Sequence, residues 1–490
     1  MTGNAPTLTQ RAVRGVAWTL PTSLGSRIIG LVGTLILARY LAPAEYGEVS
    51  AAAIVTVTAF TVTTFGLGIY LVSNRDVTRA EAFHATCFFL ATGAAALAAV
   101  WALSGPLGEW SDAPGLGRYM PLFVLSAMLD RVVFLPERML VRKLRFGWLS
   151  ISRAAGELTY TGVSLGLAAI GVGPMAIAWG NLARSALRFV AVVPAVGWRE
   201  WLEPHRLRLA TLRKIIGYGV NVSVASIATF AMRRWDNLLV SRYFGPGMMG
   251  AYNYAYNLAD TPAVAIGEQM SDVIGATFPH AEHQKRAAAV VRACTMVSLI
   301  MFPLAFGLGA VADAVVKTFF DQKWASVAPM LVFLSILSAP RPIAHILQSY
   351  FYACHRPRVV LILEWASLVA IVAAISTVGR IAIEWTCASV GAVFVLRTLA
   401  AMWTASRLDD IPLRRFLLPL VGPLVACALM VAAIWLARPA ILGLSPPARL
   451  AVEVAIGGAV YVAAAFLLFP AAARELLELV RSSLFRRRTA

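Results

Sequence analysis

Charge is scarce in this chain. Only 14% of its 490 residues are Asp, Glu, Lys or Arg, where a soluble protein carries about a quarter, and 59% are hydrophobic. With a mean hydropathy of +0.72, the composition excludes a set of water-soluble domains and requires an integral membrane protein. Carboxylates are scarcer still, 25 against 43 Lys and Arg, leaving a net charge of +18. Cysteine is rare: Cys87, Cys294, Cys354, Cys387 and Cys427 show no CxxC spacing and lie in or beside apolar runs. That pattern excludes a disulfide or zinc framework and leaves them as small core residues. The P-loop, the GxSxG elbow and HExxH are missing too, and the six histidines have no metal-ligand spacing. No basic and aromatic domain stands apart from the apolar segments, so nucleic acid is not the expected partner.

What is present is a succession of apolar stretches punctuated by charged or Gly/Pro turns. At about 20 residues per crossing they give about 14 transmembrane helices. Lys and Arg set the orientation. Roughly 26 of them fall on the side of both termini and the even-numbered connections, against roughly 8 on the other, a strong positive-inside signal for cytoplasmic termini. The polar start is followed by an apolar run too long for a signal peptide, so a retained cytoplasmic tail is expected. The expected organisation is an N-terminal lobe at 1–197, a basic cytoplasmic linker at 198–214 able to lie against anionic headgroups, and a C-terminal lobe at 215–405. Two further helices follow at 406–470, then a basic tail at 471–490 that reads more readily as solvated than as an interfacial helix.

An internal repeat supports two lobes. Arg39, Tyr40, Pro43 and Gly47, between spans one and two, recur at one constant offset as Arg242, Tyr243, Pro246 and Gly250, between spans seven and eight. Six intervening spans make the halves parallel, a plan by which many transporters build a midplane site.

The stretches ILARYLAPAEYG (Ile36 to Gly47), RRWDNLLVSRYFGPGMMGAYNYAYNL (Arg233 to Leu258) and YFYACHRPRVVL (Tyr350 to Leu361) resemble the polysaccharide transporter, or Wzx-type flippase, family of the multidrug/oligosaccharidyl-lipid/polysaccharide exporter superfamily. The resemblance runs over essentially the whole chain. It implies an all-α polytopic fold of two six-helix lobes plus two C-terminal helices, and alternating-access export of an undecaprenyl-diphosphate-linked oligosaccharide across the bacterial inner membrane. The implied partners are that lipid-linked oligosaccharide, membrane lipids, and polysaccharide polymerase and export machinery. No cofactor is implied beyond a coupling proton or sodium ion. A cation-coupled multidrug exporter of the same superfamily is the alternative, and a membrane glycan ligase or polymerase is disfavoured by the short loops.

Ionisable residues inside spans are costly and usually face a cavity or a partner. Arg27 lies deep in span one. Span seven carries Arg233, Arg234 and Asp236, with Arg233 and Asp236 on one helix face and Ser223, Ser226 and Asn237 extending a polar stripe. Span eight continues with Asn253, Asn257, Asp260, Glu268, Ser271 and Asp272, and Pro262 is expected to kink or open that helix. Asp130, Arg131 and Glu137 in span four, Glu157 in span five, and Arg341 with His345 in span ten complete the set, while Glu364, Glu384, Arg397 and Glu453 read as structural. A diphosphate cannot enter hydrocarbon without counter-charge and donors, and arginine supplies both in a planar fork. Arg27, Arg131, Arg233, Arg234 and Arg341 are therefore the expected headgroup contacts. Asp236, Asp260, Glu268 and Asp272 either orient those arginines or hold the coupling ion, and the sequence leaves both roles open. Trp235, Tyr252, Tyr254 and Tyr256 are placed to stack on sugars or simply to pack.

Overall fold

The computed structural model describes residues 25, 29–30, 32–73, 77–143, 145–277, 283–408 and 410–485. These residues are helical almost throughout, as hydrocarbon demands, because a helix satisfies every backbone group within its own segment. After a helical stretch at 32–40 come α1 (Pro43–Val62), α2 (Leu67–Ser73), α3 (Arg79–Ala102), α4 (Ser104–Trp110), α5 (Leu116–Arg142), α6 (Phe146–Ala169), α7 (Met175–Val192) and α8 (Leu209–Thr277). Then follow α9 (His283–Ala310), α10 (Ala312–Phe319), α11 (Val327–Ser338), α12 (Arg341–Ala353), α13 (Pro357–Thr377), α14 (Ile383–Leu408), α15 (Arg414–Ile441), α16 (Pro446–Leu468) and α17 (Pro470–Phe485). Among the described residues, eight helices are long and apolar enough to cross a membrane, α11 and α12 counting as one interrupted crossing. The chain is a multi-pass membrane protein. Its outward face is correspondingly greasy: Leu436 and Leu467 are more than four-fifths exposed, a cost that only lipid removes.

The helices begin and break where local chemistry directs. Pro43 opens α1, where a missing N–H costs nothing, and the Ala42 N–H donates to Glu45 Oε2 at 2.9 Å. Thr78 and Glu81 cap α3 reciprocally, at 3.2 and 3.1 Å. Gly171 and Gly173, both at positive φ, turn the chain between α6 and α7. The crossing of α6 and α7 is close because Ser164 faces Gly180, where an added Cβ would lie 2.0 Å from the serine Oγ. Within α8 the break falls at Gly245 (φ 81°), between the two expected spans, and the backbone continues helical through Pro262.

The chain divides into two compact units, Met1–Gly250 and Ala251–Ala490. In the first, the two copies of the repeat meet. A Cβ on Gly47 would sit 1.9 Å from the Pro246 carbonyl oxygen, and one on Gly250 would sit 2.1 Å from that of Pro43. This reciprocity gives the Pro-x-x-x-Gly spacing its physical reason, since each glycine clears room for the other copy's proline carbonyl.

The expected basic linker is strapped to this unit rather than loose. Trp201 is buried, and its carbonyl accepts from the Thr86 hydroxyl at 2.8 Å. The Arg208 N–H donates to His84 Nε2 at 2.7 Å. Arg79 pairs with Glu203 at 3.0 Å, Lys143 with Glu200 at 2.6 Å, and Lys214 with Glu81 at 2.7 Å. The stretch expected to be a solvated tail is helical over Pro470–Phe485 and is tied to α9 by the pairing of Glu475 with Arg292.

Candidate functional site

In the first unit a charged network threads α5, α6 and α7. Asp130 and Glu137 lie seven residues apart on α5, two turns along one face, so a single arginine can reach both. Arg188 of α7 does so, with Nη1 3.1 Å from Asp130 Oδ1 and Nη2 2.6 Å from Glu137 Oε1. One turn away, Arg184 pairs with Glu157 at 3.3 Å, donates to the Asn181 side chain, and places its guanidinium 5.3 Å from the Tyr160 ring. Arg153 reaches the second oxygen of Glu137 at 3.5 Å, and Ser185 donates to Asp130 Oδ2 at 3.0 Å. Gly156 lets α7 approach: its Cβ position is 3.2 Å from Arg184 Cγ and 3.3 Å from Arg188 Cδ.

Three arginines thus meet three carboxylates, the balance that charges in a span require. The network is not sealed, because the side chains of Arg188, Arg184 and Glu157 remain 20%, 28% and 36% exposed. Its rim lies beside Gly30, whose Cβ position is 3.9 Å from Glu157 Oε2. Partly open guanidinium groups on a polar face, each held by an exchangeable carboxylate, can bind a phosphate by swapping partners. The sequence reading included Asp130, Glu137 and Glu157 but passed over Arg153, Arg184 and Arg188. The i, i+4 pair Arg184 and Arg188 inside span six, with Asn181 and Ser185 alongside, was the signal available.

Arg131, next to Asp130 in sequence, points the other way. It is 0% exposed and donates to the Phe89 carbonyl at 2.9 Å, those of Phe60 and Ala59 at 3.3 and 3.4 Å, and the Thr63 hydroxyl. The Phe60 and Phe89 rings flank it at 4.8 and 4.5 Å. Gly93 makes the space, since a Cβ there would fall 2.0 Å from Arg131 Cζ. Expected as a headgroup contact, Arg131 here directs both Nη groups to main-chain carbonyls and the Thr63 hydroxyl and clamps α1, α3 and α5 together, while its Nε is buried without a hydrogen-bond partner among the described residues.

The same unit holds the span-seven group. Asp236 is buried and accepts from the Asn237 backbone N–H at 2.9 Å and its side-chain amide at 3.0 Å. Arg233 and Arg234 are half-buried, and the Trp235 indole donates to Thr58 at 3.3 Å. Arg27 lies outside the described residues.

In the second unit, Arg341 begins α12 directly after the break at Ala339 and Pro340 that splits span ten. Its Nη1 is 2.6 Å from Asp260 Oδ1, and its guanidinium packs 4.6 Å from the Tyr256 ring and 3.8 Å from the Phe394 ring. Asp260 here orients an arginine. Glu268 and Asp272 belong to the same helix, α8, with side chains outside the described set. Tyr252, Tyr254 and Tyr256 are buried, Tyr254 edge-on to Phe320 and Trp324, so these aromatics pack. Glu364 pairs with Arg397, and Glu453 with Arg438 at 3.3 Å and Arg449 at 3.0 Å, joining α13 to α14 and α15 to α16.

Residues 36–329, more than half of the chain, match the family described as polysaccharide biosynthesis protein. The chain belongs to that family. The match takes in the first two of the three motifs that carry the resemblance, Ile36 to Gly47 and Arg233 to Leu258. The chain is similar to the lipopolysaccharide biosynthesis protein WzxC of Escherichia coli (strain K12), 22% identical over 351 residues that cover 71% of this chain and 70% of WzxC. It is similar also to the succinoglycan biosynthesis transport protein ExoT of Rhizobium meliloti (strain 1021), 25% identical over 452 residues that cover 88% and 86% of the two chains. In fold it is similar to the lipid II flippase MurJ in an inward closed conformation, with a TM-score of 0.74 over 94% of this chain and 99% of MurJ at 15% identity.

Proposed function

We propose that this protein is a transporter, not an enzyme, that moves an undecaprenyl-diphosphate-linked oligosaccharide, a polysaccharide repeat unit, across the bacterial inner membrane by alternating access. Both termini are then cytoplasmic. Family membership supports a role in polysaccharide biosynthesis; WzxC is named for lipopolysaccharide biosynthesis, ExoT for transport in succinoglycan biosynthesis and MurJ as a lipid II flippase. The observation that carries the reading is the Arg184 and Arg188 network, charged, packed against the membrane-crossing helix α5 and partly open. Arriving phosphate oxygens compete with Asp130, Glu137 and Glu157 for those guanidinium groups in the bidentate geometry arginine favours.

The same exchange offers a route to coupling. A carboxylate released from its arginine inside a span needs a new counter-charge, and a proton or a sodium ion supplies it. Arg27, Arg233 and Arg234 complete the cationic path in this reading, and the polymerase and export machinery receive the product. A cationic-drug exporter is less well supported, because Asp130, Glu137, Glu157 and Asp260 are each already matched by an arginine. The test is reconstitution in vesicles with undecaprenyl-diphosphate oligosaccharide in one leaflet, scoring sugar that becomes accessible from the other. Transfer that depends on the protein supports the proposal; its absence under proton and sodium gradients of either sign rejects it.

A further inference from the structure

The second unit carries a groove that the transport reading does not use. It has a volume of about 870 Å³ and lies between the first turns of α9 and α15, walled by Val291, Ile411 and Leu418 and ringed by Arg292, Arg414 and Arg415. Asp410 shares the lining, and Glu475 of α17 pairs with Arg292. Arg414 and Arg415 are exposed and have no carboxylate partner among the described residues.

Position narrows the occupant. Arg414 opens one membrane-crossing helix, α15, with Arg415 beside it, and Arg292 lies in the N-terminal part of another, α9, so the arginines stand where hydrocarbon gives way to headgroups. Below them Leu418, Val421 and Val425 follow at i, i+3 and i+7 on one face of α15, all between 44% and 66% exposed, an apolar track leading away from the charge. Among the described residues, three arginines against two carboxylates leave one net positive charge. That suits a singly charged phosphodiester better than a diphosphate, and the volume exceeds what a bare anion needs.

We propose that this groove is a binding site for an anionic glycerophospholipid, with the phosphodiester between Arg414 and Arg415 and an acyl chain along Leu418, Val421 and Val425. The site uses no residue of the α5–α7 network, and its occupancy does not depend on the cargo.

The full chain, purified in a neutral detergent, would be titrated with dioleoyl phosphatidylglycerol, dioleoyl phosphatidylcholine and glycerol 3-phosphate while bound lipid is counted by native mass spectrometry. Two arginines near a phosphate predict phosphatidylglycerol binding tighter than phosphatidylcholine by on the order of tenfold, with glycerol 3-phosphate much weaker for want of the acyl track. R414Q/R415Q should bind the two lipids alike. D410N should bind phosphatidylglycerol more tightly than the wild type, a gain that misfolding cannot mimic. Equal binding of the two lipids by the wild type, an unchanged preference in R414Q/R415Q, unchanged affinity in D410N, or glycerol 3-phosphate binding as tightly as the lipid would each overturn the proposal.

Discussion

Replacing Arg188 by Met separates the structural and functional parts of the α5–α7 network. Arg188 holds two carboxylates at 3.1 and 2.6 Å, and once it is gone Glu137 keeps, among the described residues, only Arg153 as an ion-pair partner, at 3.5 Å. Removing one partner of a buried pair costs about 3–5 kcal/mol, because the remaining charge stays desolvated. The side chains of Arg188 and Asp130 are 20% and 25% exposed, so solvent screening puts the expected loss at the lower end, about 3 kcal/mol. The triple variant R188M/D130N/E137Q leaves no buried carboxylate without its arginine, the half-exposed Arg153 alone losing its partner Glu137, and should recover most of that loss. Stability would be read from unfolding of the detergent-solubilised protein, and transfer of lipid-linked oligosaccharide from reconstituted vesicles. If Arg188 meets the cargo, the triple variant regains stability and still fails to transport. Wild-type stability in R188M would refute the network as a coupled unit, and restored transport in the triple variant would refute the cargo role.

Other expectations follow from single contacts. G93A puts a methyl group 2.0 Å from Arg131 Cζ and should cost about 2 kcal/mol or more by expelling the guanidinium, seen as a lower unfolding temperature. R131M, which fills the same space without a buried cation, should be close to neutral in stability and leave transport intact. G47A drives a Cβ against the Pro246 carbonyl, backbone against backbone, and should destabilise more than the same change at Gly162, where nothing lies within 4 Å. H84A removes the acceptor for the Arg208 N–H, so hydrogen exchange at 202–208 should accelerate while exchange in α7 does not. The bond to Glu81 holds the Lys214 ammonium above the usual lysine range. A raised folded value means its contribution is fully present below the unfolded pKa of about 10.4 and is lost only as pH rises through the folded one. Linker protection should therefore be level from neutral to mildly alkaline pH and fall in strong alkali.

The apolar runs made the helical membrane fold legible, since hydrophobic length and hydrocarbon thickness are directly linked. The repeat was legible as a spacing, Pro43 to Gly47 and Pro246 to Gly250, while its reason needed three dimensions, each glycine making room for the other copy's carbonyl. Site residues were less readable. Asp130 and Arg131 are adjacent, and the 100° between successive helical positions sends one to Arg188 and the other to Phe89 and Thr63. Nothing in the local sequence says which face looks at carboxylates and which at carbonyls. Arg184 and Arg188 carried as much signal as Arg233 and Arg234 and were passed over because no motif marked them. The break at Pro340 that presents Arg341 has a local signal in Pro340 and Pro342, which flank the arginine within an otherwise apolar stretch.

The central claim is that cargo phosphate displaces carboxylates from arginines set within spans. Its most direct test compares vesicles containing wild type, the R184A/R188A variant and the R27A/R233A/R234A variant, each loaded with undecaprenyl-diphosphate oligosaccharide on one leaflet and probed for sugar on the other. The account predicts transfer by the wild type and none by either inserted, folded variant. Undiminished transfer in both variants would contradict it.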